Sequence, residues 1–173
     1  SGSSALLNVT SNGQLTLNSG ITVDGGKLSN ESTTIVNGSS SSFKNATAGA
    51  IYNVGKLTLG GLFSTNANNA SHGGAIFNGI GATLTINSGS TFDGNLVSSV
   101  DTERRGGAIL NRGTLNFIGT ASFNDNVTSG YAENDGGAIA NESQIDFGGV
   151  VYFNRNQSQH TAGAIFNTYI SNV

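Results

Sequence analysis

The chain has 173 residues, with 26 glycines, no proline, no cysteine and 10% charged residues, against about 25% charge in ordinary globular domains. Without cysteine there is no disulfide framework, no Cys-based metal site and no thiol nucleophile. The formal net charge of −3 argues against nucleic acid or anionic lipid as the main partner.

The first predicted elements are short. Leu6-Leu7-Asn8 opens the series, followed by the strands Gln14-Leu15-Thr16-Leu17 and Ile21-Thr22-Val23. Leu28-Ser29-Asn30 begins a second set, continued by Thr34-Ile35-Val36 and Phe43. From Ala48 onward the pattern tightens. A Gly-Ala-Ile-x-Asn segment recurs at Ile51–Asn53, Ile76–Asn78, Ile109–Asn111, Ile139–Asn141 and Ile165–Asn167. Between the copies stands Phe-x-x-Asn, read at Phe63 and Asn66, Phe92 and Asn95, Phe123 and Asn126, and Phe153 and Asn156. A second strand lies between the two marks, with apolar pairs Leu57/Leu59, Leu84/Ile86, Leu115/Phe117 and Ile145/Phe147. All show the period-two alternation of strands with one buried face.

Counting the looser copies, successive Asn residues of the Ile-x-Asn series lie 22 to 33 residues apart. That spread is too irregular for a helical array and fits a solenoid with loops of varying length. Composition selects the β kind. Stacked coils place equivalent side chains about 4.8 Å apart, so a charge repeated at one position would repel its copies. Proline cannot donate to a strand ladder that is paired on both sides. The expectation is an all-β chain, a right-handed parallel β-helix with three strands per coil, since parallel crossovers are right-handed in the great majority of cases. Six to seven coils give a rod about 30 Å long. Residues 1–173 read as a single domain, with shorter, less regular coils over 1–47 and full coils over 48–173. With no methionine, the sequence is expected to be a processed piece. No run of about 18 apolar residues is present, so direct membrane insertion is not expected.

If Ile of Ile-x-Asn points inward, the Asn two residues on does too, and a buried amide must be hydrogen-bonded. Asn53, Asn78, Asn111, Asn141 and Asn167 are therefore predicted to form an internal ladder. Phe63, Phe92, Phe123 and Phe153 are predicted to stack inside. The intervening Tyr52, Phe77, Leu110, Ala140 and Phe166 should then face outward, as a contact stripe or as a surface covered by loops. The variable stretches 67–72, 96–105, 127–135 and 157–161 leave the rod at one corner. The middle two hold Asp101, Glu103, Arg104, Arg105, Tyr131, Glu133 and Asp135, which makes them candidate binding loops or plain solvated ones.

Other chemistry is sparse. His72 and His160 lack partners at metal-ligand spacing, and no cofactor is expected. Asp93 and Asp125 could approach a glycosidase carboxylate separation, but no subsite supports them. Asp125 and Arg155 should pair on the surface. Asn-x-Ser/Thr sequences are frequent enough here to arise by chance.

The tetrapeptides Gly73-Gly74-Ala75-Ile76, Gly106-Gly107-Ala108-Ile109 and Gly136-Gly137-Ala138-Ile139 alternate with the Phe-x-x-Asn marks. This alternation, from about Phe43 to Asn167, resembles the repeats of chlamydial polymorphic membrane proteins and related bacterial β-helix surface proteins. The resemblance implies an autotransporter passenger, displayed on the bacterial outer membrane or secreted, that adheres to host cells through a surface protein or glycan. It also implies adhesion motifs at the three Gly-Gly-Ala-Ile tetrapeptides and at Phe92, Asn95, Phe123, Asn126, Phe153 and Asn156. Self-association along the rod is a further expectation. Two departures stand out: cysteine is missing, and alanine replaces the first glycine at Ala48 and Ala162. A structural spacer is the chief rival reading. A carbohydrate-active enzyme lacks its clustered carboxylates, and an ice-binding array of Thr16, Thr58 and Thr85 is broken by Asn116 and Asp146.

Overall fold

Strands of three or four residues with one apolar face cannot bury that face alone, so they stack. A computed structural model describes residues 5–87, 89–98, 104–130 and 134–168. Its strands coil as a right-handed parallel β-solenoid. The first sheet has seven strands, Ala5–Val9, Lys27–Asn30, Ile51–Asn53, Ile76–Asn78, Ile109–Asn111, Ile139–Asn141 and Ile165–Asn167. The second and third sheets have six strands each, so six coils are complete in these three faces and a seventh is begun. The second runs from Gln14–Leu17 to Gln144–Phe147, and the third from Thr22–Asp24 to Val151–Asn154.

The described parts of the stretches between the third face and the next Gly-Ala-Ile include strands. Asn69–Ala70, Leu96–Ser98, Val127–Ser129 and Gln157–Ser158 form a fourth parallel sheet, and Arg104–Arg105 pairs with Asn134–Asp135. The glycines ahead of Ile make this sheet fit. Gly106 takes φ +69, and a Cβ on Gly107 would stand 2.7 Å from the Val127 amide nitrogen. Only a residue without a side chain lets the two backbones pass so closely.

The core is a set of columns. Ile51, Ile76, Ile109 and Ile139 stack in register under Leu28, and Leu57, Leu84 and Leu115 do the same in the second face. All are fully buried. At the corner beyond the Ile column, Nδ2 of Asn30, Asn53, Asn78, Asn111 and Asn141 each donates to Oδ1 of the next Asn at 2.6–2.7 Å. Those of Asn30, Asn53, Asn78 and Asn111 also donate to main-chain carbonyls of the next coil at 2.8–3.1 Å. A primary amide suits the position because it carries two donors and an acceptor on one rigid plane.

A second amide ladder closes the third face. Asn68, Asn95 and Asn126 donate in turn to Asn95, Asn126 and Asn156 at 2.8–3.0 Å. Each of the Oδ1 atoms also accepts a backbone N–H from the preceding coil, as in Asn95 N to Asn126 Oδ1 at 3.0 Å. The residue before each Asn of this ladder turns the corner with positive φ: Ala67, Gly94, Asp125 and Arg155.

Three register readings are corrected. In the first coil Leu7, not Leu6, pairs with Leu28, and Val9 stands opposite Asn30. The first ladder therefore begins at Asn30, and Asn8 is exposed. In the third face Thr65, not Phe63, pairs with Phe43 and Phe92. Phe63 fills the core from two residues earlier, opposite Ser41. Its ring therefore meets Phe43 and Phe92 tilted by 40° and 54°, whereas Phe92 and Phe123 stack at 4.5 Å and 5°. Accordingly the ladder residue of that coil is Asn68, while Asn66 is exposed. Asp93 pairs with Asn124 and accepts its amide at 2.6 Å, so Asp93 and Asp125 do not form a facing carboxylate pair.

Candidate functional site

The tetrapeptide motifs lie inside the solenoid. Gly73, Gly74, Ala75, Ile76, Gly106, Gly107, Ala108, Ile109, Gly136, Gly137, Ala138 and Ile139 are buried, as are Phe92, Asn95, Phe123 and Asn126, while Phe153 and Asn156 are half-buried near the last coil. The buried members shape the coils, and of the motif residues Gly73 reaches the groove described below. Of the candidate loop residues, Asp101, Glu103, Tyr131 and Glu133 lie outside the described residues. Arg104 is placed only as a backbone partner of Asn134.

Arg105 and Asp135 are not the solvated loop charges expected. Both side chains are largely buried, 12% and 4% exposed, in one ionic cluster. Arg105 Nη1 donates to Glu142 at 2.7 Å and Arg112 Nε donates to the other Glu142 oxygen at 2.6 Å. Arg105 Nε stands 3.7 Å from Asp135, whose carboxylate also meets His160 at 3.0 Å and the Thr161 hydroxyl. Arg112 and Glu142 each directly follow a ladder Asn, so the coil stacking sets them one above the other. The cluster neutralises charge that burial would otherwise penalise heavily. Its role is to clamp the return strands onto the first sheet.

That clamp divides the outward stripe. The Arg105 guanidinium lies 5.6 Å from the Phe166 ring centroid, two strands further along the rod. Reaching there carries it past the Ala140 position. Leu110 and Ala140 are fully buried, so of the two readings of the outward column a covered surface holds at these two positions. The stripe is open at Tyr52 and half-buried at Phe77 and Phe166. Tyr52, 40% exposed, stacks on Phe77 with centroids 5.3 Å apart and planes within 8°. Their in-register pairing aligns them, and the outward neighbour on the other side is the small Ser29.

Beside this stack runs a groove of about 510 Å³. Its far wall comes from the stretches around Thr47 to Gly49 and Asn69 to Gly73, braced by an Asn69–Ser98 side-chain hydrogen bond of 3.1 Å. Lys27 stands at one end and Arg112 at the other, and His72 lines the wall. Lys27 and Arg112 belong to strands or corners three coil steps apart, about 14 Å at the inter-strand spacing. Lining by aromatic rings with a few polar groups is the usual build of a ligand site.

Sequence reading found Tyr52 and Phe77 but not Lys27, Arg112 or Glu142, which carry no motif. Asn68 did have a signal. Counting from the last inward residue of the second face, Phe92 follows Ile86, Phe123 follows Phe117 and Phe153 follows Phe147 by six residues, and six from Leu59 gives Thr65. Constant spacing outranks the tetrapeptide spelling there. Elsewhere Asp125 and Arg155 do form the expected exposed bridge, with two contacts of 2.7 Å. The hydrogen bond from Arg155 holds the Asp125 carboxyl below its ordinary value.

Comparison of the chain with protein-family models, with curated proteins and with solved structures gives no match. Fold and site define the class: a parallel β-solenoid with an aromatic-walled groove on its first sheet.

Proposed function

We propose that the chain is a non-catalytic adhesive segment of a bacterial surface-displayed or secreted rod. The observation that carries this reading is the Tyr52–Phe77 groove. It is a concave, partly apolar site on a scaffold whose other outward columns are largely short polar side chains, as in Ser64, Thr91 and Ser122 of the third face. Two amide ladders and the Arg105–Glu142 cluster keep its walls rigid, so little ordering entropy is lost on binding. The alternation of Gly-Gly-Ala-Ile with Phe-x-x-Asn resembles chlamydial polymorphic membrane protein passengers and supports display at the outer membrane. A groove of this size engages far less surface than the roughly 1,200–2,000 Å² of a stable protein complex. Attachment by one module is therefore weak and gains strength from many copies on one cell.

The test is adhesion of beads coated with wild-type chain, with Tyr52→Ser/Phe77→Ser, and with a variant whose 99–103 and 130–133 segments are replaced by short Gly-Ser links. Loss of adhesion in the first variant, at unchanged melting temperature, supports the groove. Loss only in the second moves recognition to those segments. Absence of adhesion by wild-type protein favours a spacer rod.

A further inference from the structure

The chemistry of the groove is narrower than adhesion in general. Its wall is a pair of co-stacked rings held 5.3 Å apart, an apolar surface two coils long and rigid in orientation. Opposite stand short hydroxyl and amide side chains, among them Asn69 and Ser98, already fixed by their mutual hydrogen bond. No aspartate or glutamate is among the described residues lining the groove, although the chain as a whole is acidic at −3. Lys27 has no ion pair among the described residues. Glu142 holds Arg112 from behind at 2.6 Å and is not part of the lining.

An extended peptide is poorly served here. Peptides bind in grooves of this kind largely through main-chain hydrogen bonds at an open sheet edge, whereas the strands Ile51–Asn53 and Ile76–Asn78 are each paired on both sides. What remains for a ligand is ring surface, hydroxyls, amides and a cation. Ring surface packs on the C–H face of a pyranose, short polar side chains exchange hydrogen bonds with its hydroxyls, and an ammonium donates to a carboxylate.

We propose that the groove binds an acidic oligosaccharide, with a sugar ring against Tyr52 and Phe77 and a sugar carboxylate on Lys27. The three coil steps from the Lys27 strand to the Arg112 corner, about 14 Å along the rod axis, suit several linked sugars lying in that direction. The inference rests on the reading of this groove as the adhesive site, and its test separates the two.

Calorimetric titration of the full chain uses a hyaluronan octasaccharide, sialyllactose, neutral chitohexaose and a short polyglutamate peptide. Binding of a carboxylated sugar, weaker or absent binding of chitohexaose, and a loss of about tenfold in Tyr52→Ser and about fivefold in Lys27→Gln are expected. Tyr152→Ser, on the exposed third face, should leave binding unchanged. The uronic and sialic probes distinguish which carboxylated sugar is taken. Failure of both, or binding indifferent to Tyr52→Ser and Lys27→Gln, overturns the proposal. Polyglutamate binding as tightly as the sugars with equal sensitivity to Lys27→Gln alone also overturns it, in favour of an acidic peptide. Cell adhesion is scored in parallel, before and after hyaluronidase and sialidase treatment. Groove-dependent adhesion that survives both enzymes, with no sugar binding, removes the glycan and keeps the adhesive reading. Sugar binding without cell adhesion keeps the glycan inference and removes the adhesive one.

Discussion

Asn111→Ala tests the internal ladder most directly. In the wild-type chain Asn111 Nδ2 donates to Asn141 Oδ1 at 2.6 Å, to the Gln144 carbonyl at 2.8 Å and to the Gly113 carbonyl at 3.1 Å. Its Oδ1 accepts from Asn78 Nδ2 at 2.7 Å and from the Gly113 N–H at 3.3 Å. The side chain is fully buried, so water cannot replace these partners. Asn78 Nδ2 keeps the Thr114 carbonyl at 3.1 Å, but Asn141 Oδ1 loses its donor. Taking about 1 kcal/mol net for each of the three short bonds, plus about 1–3 kcal/mol for a stranded acceptor, the expected cost is about 4–6 kcal/mol. Asn154→Ala is the matched control, because Asn154 makes a similar side-chain bond of 2.8 Å on the exposed surface and should cost under about 0.5 kcal/mol. Asn111→Asp should be worse than alanine, since a carboxylate offers only acceptors to Asn141 Oδ1 and the Gln144 carbonyl. Urea unfolding reads the differences as midpoint shifts at constant m. An Asn111→Ala cost below about 1 kcal/mol, or no larger than that of Asn154→Ala, would refute the ladder as a source of stability.

The third-face register predicts that Phe63→Ser alone costs about 3 kcal/mol as a large-to-small core change, whereas Phe63→Ser/Thr65→Phe recovers most of it by completing the column between Phe43 and Phe92. A double variant no more stable than the single one on the same urea assay would reject the register. Gly107→Ala should destabilise by more than about 2 kcal/mol, because the added methyl meets backbone of the fourth sheet. A melting temperature equal to wild type would show that the two sheets are not in close contact. Arg155→Ala should raise the NMR titration midpoint of Asp125 toward the usual value of about 3.9, since the arginine depresses it. The bridge's contribution is present above that unfolded-state value and fades as pH falls through the depressed one. An unmoved midpoint would mean that the pair does not persist in solution.

The residues of Ile-x-Asn determine a good deal by themselves. Inward Ile places Asn inward at a corner, and stacking at the strand spacing turns a repeated amide into a ladder, because each amide offers donors to one neighbour and an acceptor to the other. Period-two alternation in Leu84/Ile86 and Leu115/Phe117 likewise fixes which faces are buried, and with it the solenoid class. Register between coils is another matter. It is set by hydrogen bonds between strands about twenty or more residues apart, so at Phe63 the Phe-x-x-Asn spelling does not mark the residue that enters the core, which is Asn68 and not Asn66. Burial of outward positions also escapes local reading. Leu110 and Tyr52 hold the same place in their strands, yet one is fully buried and the other 40% exposed, a difference that the strand pattern does not carry. The charges of Arg105 and Asp135 look solvated in a polar stretch of sequence and become buried once Glu142 and Arg112 rise beside them from neighbouring coils. The groove follows the same logic. Lys27, Tyr52, Phe77 and Arg112 come from four consecutive coils, and the stacking of coils unequal in length brings them to one face.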